Sequence, residues 1–145
     1  MNGISFAAGA LVTIPEGMVL VSEKDKTNHT LKIPGGRWRP QDGNQGPRKS
    51  IALRIVMRKV LHETGMCIPL HSFTFKGIQL RKVGTPDEHE YYFFVATATE
   101  SEGNMRYRVR TNNFTVHVFD GEKLFKERRR LPKEQVNLLT RYNLW

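Results

Sequence analysis

One stretch constrains this chain more than any other: Pro34 to Met66, PGGRWRPQDGNQGPRKSIALRIVMRKVLHETGM. It begins with Gly35 and Gly36, adjacent glycines that admit backbone angles closed to other residues and let the chain pass close to a ligand. Arg37, Trp38 and Arg39 follow. Pro40 to Pro47 is rich in Gly, Gln, Asn and Asp and reads as an exposed loop. Ser50 to Thr64 then reads as a helix, capped by Ser50 and ended by Gly65 in a left-handed conformation. Leu53, Val56, Met57, Val60 and Leu61 recur at three- and four-residue spacing and mark its buried face. Arg54, Arg58, Lys59, His62 and Glu63 are assigned to the other side.

The flanking sequence supplies strands before this helix, then strands and helices after it. Ile4 to Ile14 and Met18 to Ser22 surround Pro15-Glu16-Gly17 and read as a hairpin. Glu23 to Thr30 is polar and turn-like. Leu31-Lys32-Ile33 is held extended by Pro34. Ser72 to Leu80 and Glu90 to Thr99 alternate as strands, and Arg106 to Arg110 and Phe114 to Phe119 give further strands, with a turn expected at Asn112-Asn113. Asp120 is placed to cap a helix over Glu122 to Arg130. Pro132 opens a last one, with Leu138, Leu139 and Leu144 on one side. This order predicts an α/β fold, a mixed β-sheet with helices on its faces. At 145 residues, with 39% hydrophobic and 26% charged residues, a single domain spanning 1–145 is expected.

Charge and cysteine use narrow the chemistry. The 23 Lys and Arg residues against 14 Asp and Glu give a net charge of +9, which attracts anions such as nucleotides, nucleic acid or acidic lipid. No apolar run approaches the ~20 residues that span a bilayer. Ile4 to Ile14 lacks a basic flank and alternates, which argues against a signal peptide. The one cysteine, Cys67, excludes an internal disulfide and suits a cytoplasmic setting. As a lone thiol it reads as a small buried hydrophobe.

Ala8-Gly9-Ala10-Leu11-Val12, Val19-Leu20-Val21, Ile33-Pro34-Gly35-Gly36 and Arg58 to Met66 together resemble a Nudix domain. The family's box runs G-x5-E-x7-R-E-U-x-E-E-x-G-U, with U aliphatic. The resemblance implies an α/β/α sandwich with a mixed sheet and a pyrophosphohydrolase ancestry. Its substrates would be nucleoside diphosphates linked to another group, and its cofactor magnesium. With Arg58 on the box arginine, Lys59 and His62 stand where two helical glutamates belong, and Glu63 alone remains. Counting back places the box's early glutamate on Ser50 and its glycine on Asn44. Counting forward from Gly36 places that glutamate on Asp42, so the loop carries about eight extra residues. In the family the box arginine orients carboxylates, which suggests that Arg58 holds Glu63.

Carboxylates three and four apart on one helical face bind hard divalent cations through oxygen. Bound metals neutralise a diphosphate and activate water. A protonated lysine cannot ligate magnesium, and histidine suits it poorly. Lys59 is instead expected to pair with Glu63 in the cation's place, making weak magnesium binding and a direct phosphate site the expectation. Gly35, Gly36, Arg37, Trp38, Arg58, Lys59 and His62 are the candidate ligand-binding residues for a nucleotide or other phosphorylated small molecule. In a divergent but active hydrolase, Glu63, Glu88 and Glu90 are the catalytic candidates and Glu63 with Asp42 the metal ligands. Asp87 and His89 lie in the same acidic segment, and His62, Glu63 and His89 form a possible zinc set. Trp38 suits base stacking or core cover. A third reading is a nucleic-acid-binding module using the basic surface, with KERRR at Lys126 to Arg130 beside Phe125. A homodimer through the N-terminal strand or Leu144-Trp145 is a further possibility, with burial in the core the simpler reading of both.

Overall fold

The computed structural model describes residues 5–24, 30–98, 107, 110–111 and 113–145. Six strands form one sheet: β1 (Phe6–Ile14), β2 (Gly17–Glu23), β3 (Gly35–Arg37), β4 (Phe73–Arg81), β5 (His89–Thr97) and β6 (Phe114–Phe119). The strand order is β4-β5-β1-β2-β6, with β3 also paired to β1. The sheet is mixed, because β1 runs parallel to β5 and antiparallel to β2 and β3. Among the described residues the α-helices are α1 (Arg48–Thr64), α2 (Gly121–Lys126) and α3 (Lys133–Arg141).

Alternation along the central strands creates two cores. Ala8, Ala10 and Val12 of β1, with Tyr92, Phe94 and Ala96 of β5, meet Ile51, Ala52, Ile55, Val56 and Val60 of α1. The opposite side chains, Ala7, Leu11, Tyr91 and Phe93, pack with Leu124 of α2 and Leu138 and Leu139 of α3. The result is the α/β/α sandwich expected, with period-two burial on both faces of the central strands.

The boundaries differ from the sequence reading in instructive ways. Helix α1 begins at Arg48, after Pro47, and has no side-chain cap from Ser50; Pro47 suits a helix start because it lacks an N–H that a helix would have to satisfy. Gly65 ends the helix at φ 78°, its N–H donating to the Leu61 carbonyl as expected. The buried stripe is rotated from the one anticipated. It runs through Ile51, Ala52, Ile55, Val56, Val60, Glu63 and Thr64, whereas Leu61 is exposed. Glu63 therefore faces inward, contrary to its assignment to the solvent side. Cys67, expected inside, is exposed. The helix expected over Glu122 to Arg130 stops as α2 at Lys126 and resumes as a 3-10 turn, Arg128–Arg130. Asp120 caps α2 as anticipated, its Oδ1 accepting from the Lys123 N–H at 2.8 Å. The strand expected at Arg106 to Arg110 and the turn at Asn112-Asn113 lie largely outside the described residues.

The Pro40–Pro47 loop is not simply exposed. Pro40–Asp42 forms a 3-10 turn that carries Asp42 inside, at 3% exposure. Arg58 of α1 grips both its carboxylate oxygens, Nε to Oδ1 and Nη2 to Oδ2, each at 2.8 Å. The Arg39 N–H adds a third hydrogen bond to Oδ2 at 2.9 Å. Arg54 fastens the loop further through the Asp42 and Gln45 carbonyls. These contacts tie the loop to the helix.

Two substitutions test this framework. Breaking one side of a buried ion pair costs about 3–5 kcal/mol, because the remaining charge stays desolvated. Arg58→Met is expected to lower unfolding free energy by that amount in urea titration, with Asp42→Asn added to it recovering part of the loss. A Cβ on Gly35 would stand 2.5 Å from the Ala8 carbonyl oxygen and 2.7 Å from Gly9 Cα. These are backbone atoms, so Gly35→Ala is expected to cost about 3 kcal/mol, the upper end of overpacking effects.

Candidate phosphate-binding cleft

Helix α1 delivers its last two turns to the glycine turn. Glu63 is fully buried and accepts a hydrogen bond from the Gly35 N–H at 3.1 Å. Gly35 pairs with Gly9 across β3 and β1, and a Cβ on Gly35 would strike the β1 backbone. Lys32 Nζ lies 3.2 Å from Glu63 Oε2, and Lys59 Nζ lies 3.9 Å from the same oxygen. Lys32 also donates to the Gly35 carbonyl. One buried carboxylate thus faces two ammonium groups and a backbone N–H.

The electrostatics follow from this packing. Burial is the largest effect on Glu63 and pushes its carboxyl above the ordinary range, with Lys32, Lys59 and the Gly35 N–H opposing it. Burial likewise lowers Lys59, against the pull of Glu63 and with the neighbouring cations Lys32, Arg39 and Arg58 adding to the depression. The Lys59 stem covers Gly36 so closely that a Cβ there would meet its Cε at 2.4 Å.

The remaining residues singled out from the sequence are spread around this centre. Arg58 engages Asp42 rather than Glu63, so the count forward from Gly36 picks the acid that the box arginine holds. Asp42 has both oxygens committed to Arg58 and Arg39. His62 is exposed and sets its ring edge against Phe114, with centroids 6.2 Å apart. Trp38 packs against the α1 core and donates from Nε1 to the Gly43 carbonyl at 2.8 Å, an arrangement that matches core cover. Glu88 accepts from the Gly84 N–H in the β4–β5 connection. Glu90 pairs with Arg48 at 2.8 Å. Arg48 lies fifteen residues before Glu63 on α1, about 22 Å of helix, so Glu90 and Glu63 are held at opposite ends.

On the α3 side of the sheet a cavity of about 480 Å³ opens beside Gly35 and Gly36, with Lys32, Arg37, Arg81 and Lys82 in its lining. At its rim Arg37 Nη2 donates to Asp87 Oδ1 at 2.7 Å and lies 2.9 Å from His89 Nδ1. Lys82 binds the other Asp87 oxygen at 2.9 Å. Hydrogen bonds from Lys82 and Arg37 hold the exposed Asp87 carboxyl below its usual range. Lys32, Arg81 and Tyr91 escaped the sequence reading as site residues. The signal for Lys32 was present, since it stands between Leu31 and Ile33, which are both buried, directly before Pro34-Gly35-Gly36. Nothing local marks Arg81 or Tyr91, whose meeting depends on the β4–β5 register.

The magnesium set implied by the family pattern does not fit these residues. Among the described residues no group of three or more His, Cys, Asp or Glu is placed to hold a metal ion. Lysine ammonium groups adjoin the Glu63 carboxylate. His62, Glu63 and His89 likewise form no zinc set. No described helix is long and apolar enough to cross a membrane.

No protein-family profile matches the chain, and no curated protein sequence matches it. Solved structures do. A Nudix hydrolase from Alicyclobacillus acidocaldarius superposes with a TM-score of 0.72 at 11% identity, covering 97% of this chain and 91% of that one. A MutT/nudix family protein from Enterococcus faecalis gives 0.59 at 15% identity, covering 82% of this chain and 44% of its own. A bifunctional NMN adenylyltransferase/ADP ribose pyrophosphatase from Francisella tularensis, complexed with AMP and a manganese ion, gives 0.68 at 10% identity over 98% of this chain. The chain spans 42% of that bifunctional protein. At these identities the likeness establishes architecture: the chain has a Nudix-like fold.

Proposed function

We propose that this chain binds a nucleotide or similar phosphorylated ligand at the glycine turn, using ammonium groups where Nudix hydrolases use metal ions. On this reading its pyrophosphohydrolase activity is impaired. The observation that carries the reading is the placement of Lys32 and Lys59 about the buried Glu63 carboxylate. The two cations are fixed in place by that carboxylate, and their summed charge exceeds its own. A surplus of fixed positive charge beside a glycine turn suits a phosphate. The similar structures include an ADP ribose pyrophosphatase with AMP and a Caenorhabditis elegans Ap4A hydrolase, which supports a nucleotide derivative as the ligand class.

Ligand binding without metal assistance gives a direct test. Affinity for a nucleoside diphosphate, measured by calorimetry, is expected to be unchanged by EDTA, to fall with rising salt and to drop about tenfold in Lys59→Met, in keeping with one lost charged hydrogen bond. Magnesium-dependent release of phosphate or monophosphate that disappears in Glu63→Gln would instead establish a divergent hydrolase.

Returning carboxylates to the helix tests the loss of the metal site separately. Lys59→Glu with His62→Glu restores the box carboxylates but leaves Lys32 beside Glu63. Adding Lys32→Met to this pair is expected to produce manganese binding detectable by electron paramagnetic resonance, with little in the wild type. Equal manganese binding by wild type and triple variant would overturn the argument.

A further inference from the structure

The cavity beside the glycine turn contains a cation for which the phosphate site has no use. Arg81 ends β4, and its guanidinium carbon lies 3.4 Å from the centroid of the Tyr91 ring on β5. Its Nε donates to Gln79 Oε1 at 3.0 Å. Stacking and this hydrogen bond orient the guanidinium, yet Nη2 is buried without a hydrogen-bond partner. The Tyr91 hydroxyl beside it is buried too; Arg81 is close enough to act on it, but the two groups do not reach hydrogen-bond geometry. Two unmet buried donors on one cavity wall are rare in a folded protein, where such groups nearly always find a partner.

The other cations lining the cavity are already matched. Lys32 pairs with Glu63, while Arg37 and Lys82 share Asp87. Arg81 has no acidic partner among the described residues. Glu134 also lines the cavity but forms no ion pair with it. Burial pushes the Tyr91 phenol up to about 12, more than the neighbouring Arg81 lowers it. The hydroxyl therefore stays protonated near neutrality and remains a donor.

We infer that Arg81, stacked on Tyr91, is a second oxyanion subsite, which takes a carboxylate or phosphate group of a ligand seated in this cavity. A guanidinium fork matches the two oxygens of such a group. Arg37 and Arg81 lie on one row of strands on the α3 side, β3-β1-β5-β4, in which Arg37, Ala7, Tyr91 and Gln79 are successive partners. Because Arg81 leans over β5, it stands two strand spacings from β3, about 10 Å. This deepens the proposed function, on which it rests for occupancy of the cleft.

Inorganic phosphate, titrated into the isotope-labelled full chain and followed by nuclear magnetic resonance, tests the subsite. The Arg81 Nε–H signal, identified by its loss in Arg81→Lys, is expected to shift to saturation. Tyr91→Leu, which removes the platform, weakens that response about tenfold and leaves the Gly36 amide response intact. Lys59→Met does the reverse. Thermal unfolding checks that each variant is folded, and Tyr91→Phe, which keeps the ring, provides a milder second variant with a smaller loss at Arg81. Acetate in place of phosphate distinguishes a carboxylate subsite from a phosphate one; a saturating response to either supports the inference. An Arg81 signal that moves only with ionic strength overturns it, as does a response that the Tyr91 variants leave unchanged. A still Gly36 amide with a saturating Arg81 signal would defeat the lysine phosphate site and leave the Arg81 subsite standing.

Discussion

The organising interaction is the Glu63 carboxylate, buried where α1 meets the turn before β3. A carboxylate without water must be compensated by charge and hydrogen bonds, or it takes up a proton. Here compensation comes from three directions: the Gly35 N–H, Lys32 and Lys59. Each fixes part of the fold. The N–H bond orients the glycine turn, Lys32 ties the segment before Pro34 to α1, and Lys59 lays its stem across Gly36. The stretch that dominates the sequence is thus held together by one acid at its far end.

A second buried acid works differently. Asp42 meets a guanidinium that can satisfy both oxygens in one plane, and Arg58 does so with two bonds of 2.8 Å. That geometry suits a structural clamp, since little of the carboxylate remains for a ligand. Glu63 meets ammonium groups at 3.2 and 3.9 Å, looser contacts that leave the cations hydrogen-bonding capacity. The distinction between arginine and lysine therefore separates the two sites. One closes a loop onto a helix, and the other leaves positive charge facing a turn.

The legibility of these features from sequence followed the range of the interactions involved. The strands β1, β2 and β6 and the Gly65 helix end depend on near neighbours and were readable. The meeting of Lys59 with Glu63, one helical turn apart, was readable as well. The inward turn of Glu63 was not, because Leu53, Met57 and Leu61 offered an alternative apolar stripe on the same helix. The chosen stripe buries Ile51 and Ile55 against β1 and β5, and the small rotation that achieves this brings Glu63 inside. Asp42 was hidden by the polar composition of its loop, whose burial requires Arg58 sixteen residues later. Arg81 and Tyr91 meet only because a bulge between Phe75 and Gly77 sets the β4 register. Before the bulge Phe75 stands opposite Phe94 of the α1 core; after it Gln79 stands opposite Tyr91 on the other face.

That bulge links the fold to the charge distribution of the cleft. With the register of Phe75 continued unbroken, Arg81 would change faces of the sheet, as any one-residue slip requires. It would then lie on the α1 side, with Glu90 and Arg48 near the helix start. The inserted residue, Lys76, instead sends Arg81 to the face where Tyr91 offers an aromatic platform. The positive wall of the cavity is consequently a product of strand register as much as of composition. A net charge of +9 describes the whole surface, but it is the pairing of β4 with β5 that sets a cation with no acidic partner among the described residues across the sheet from the glycine turn.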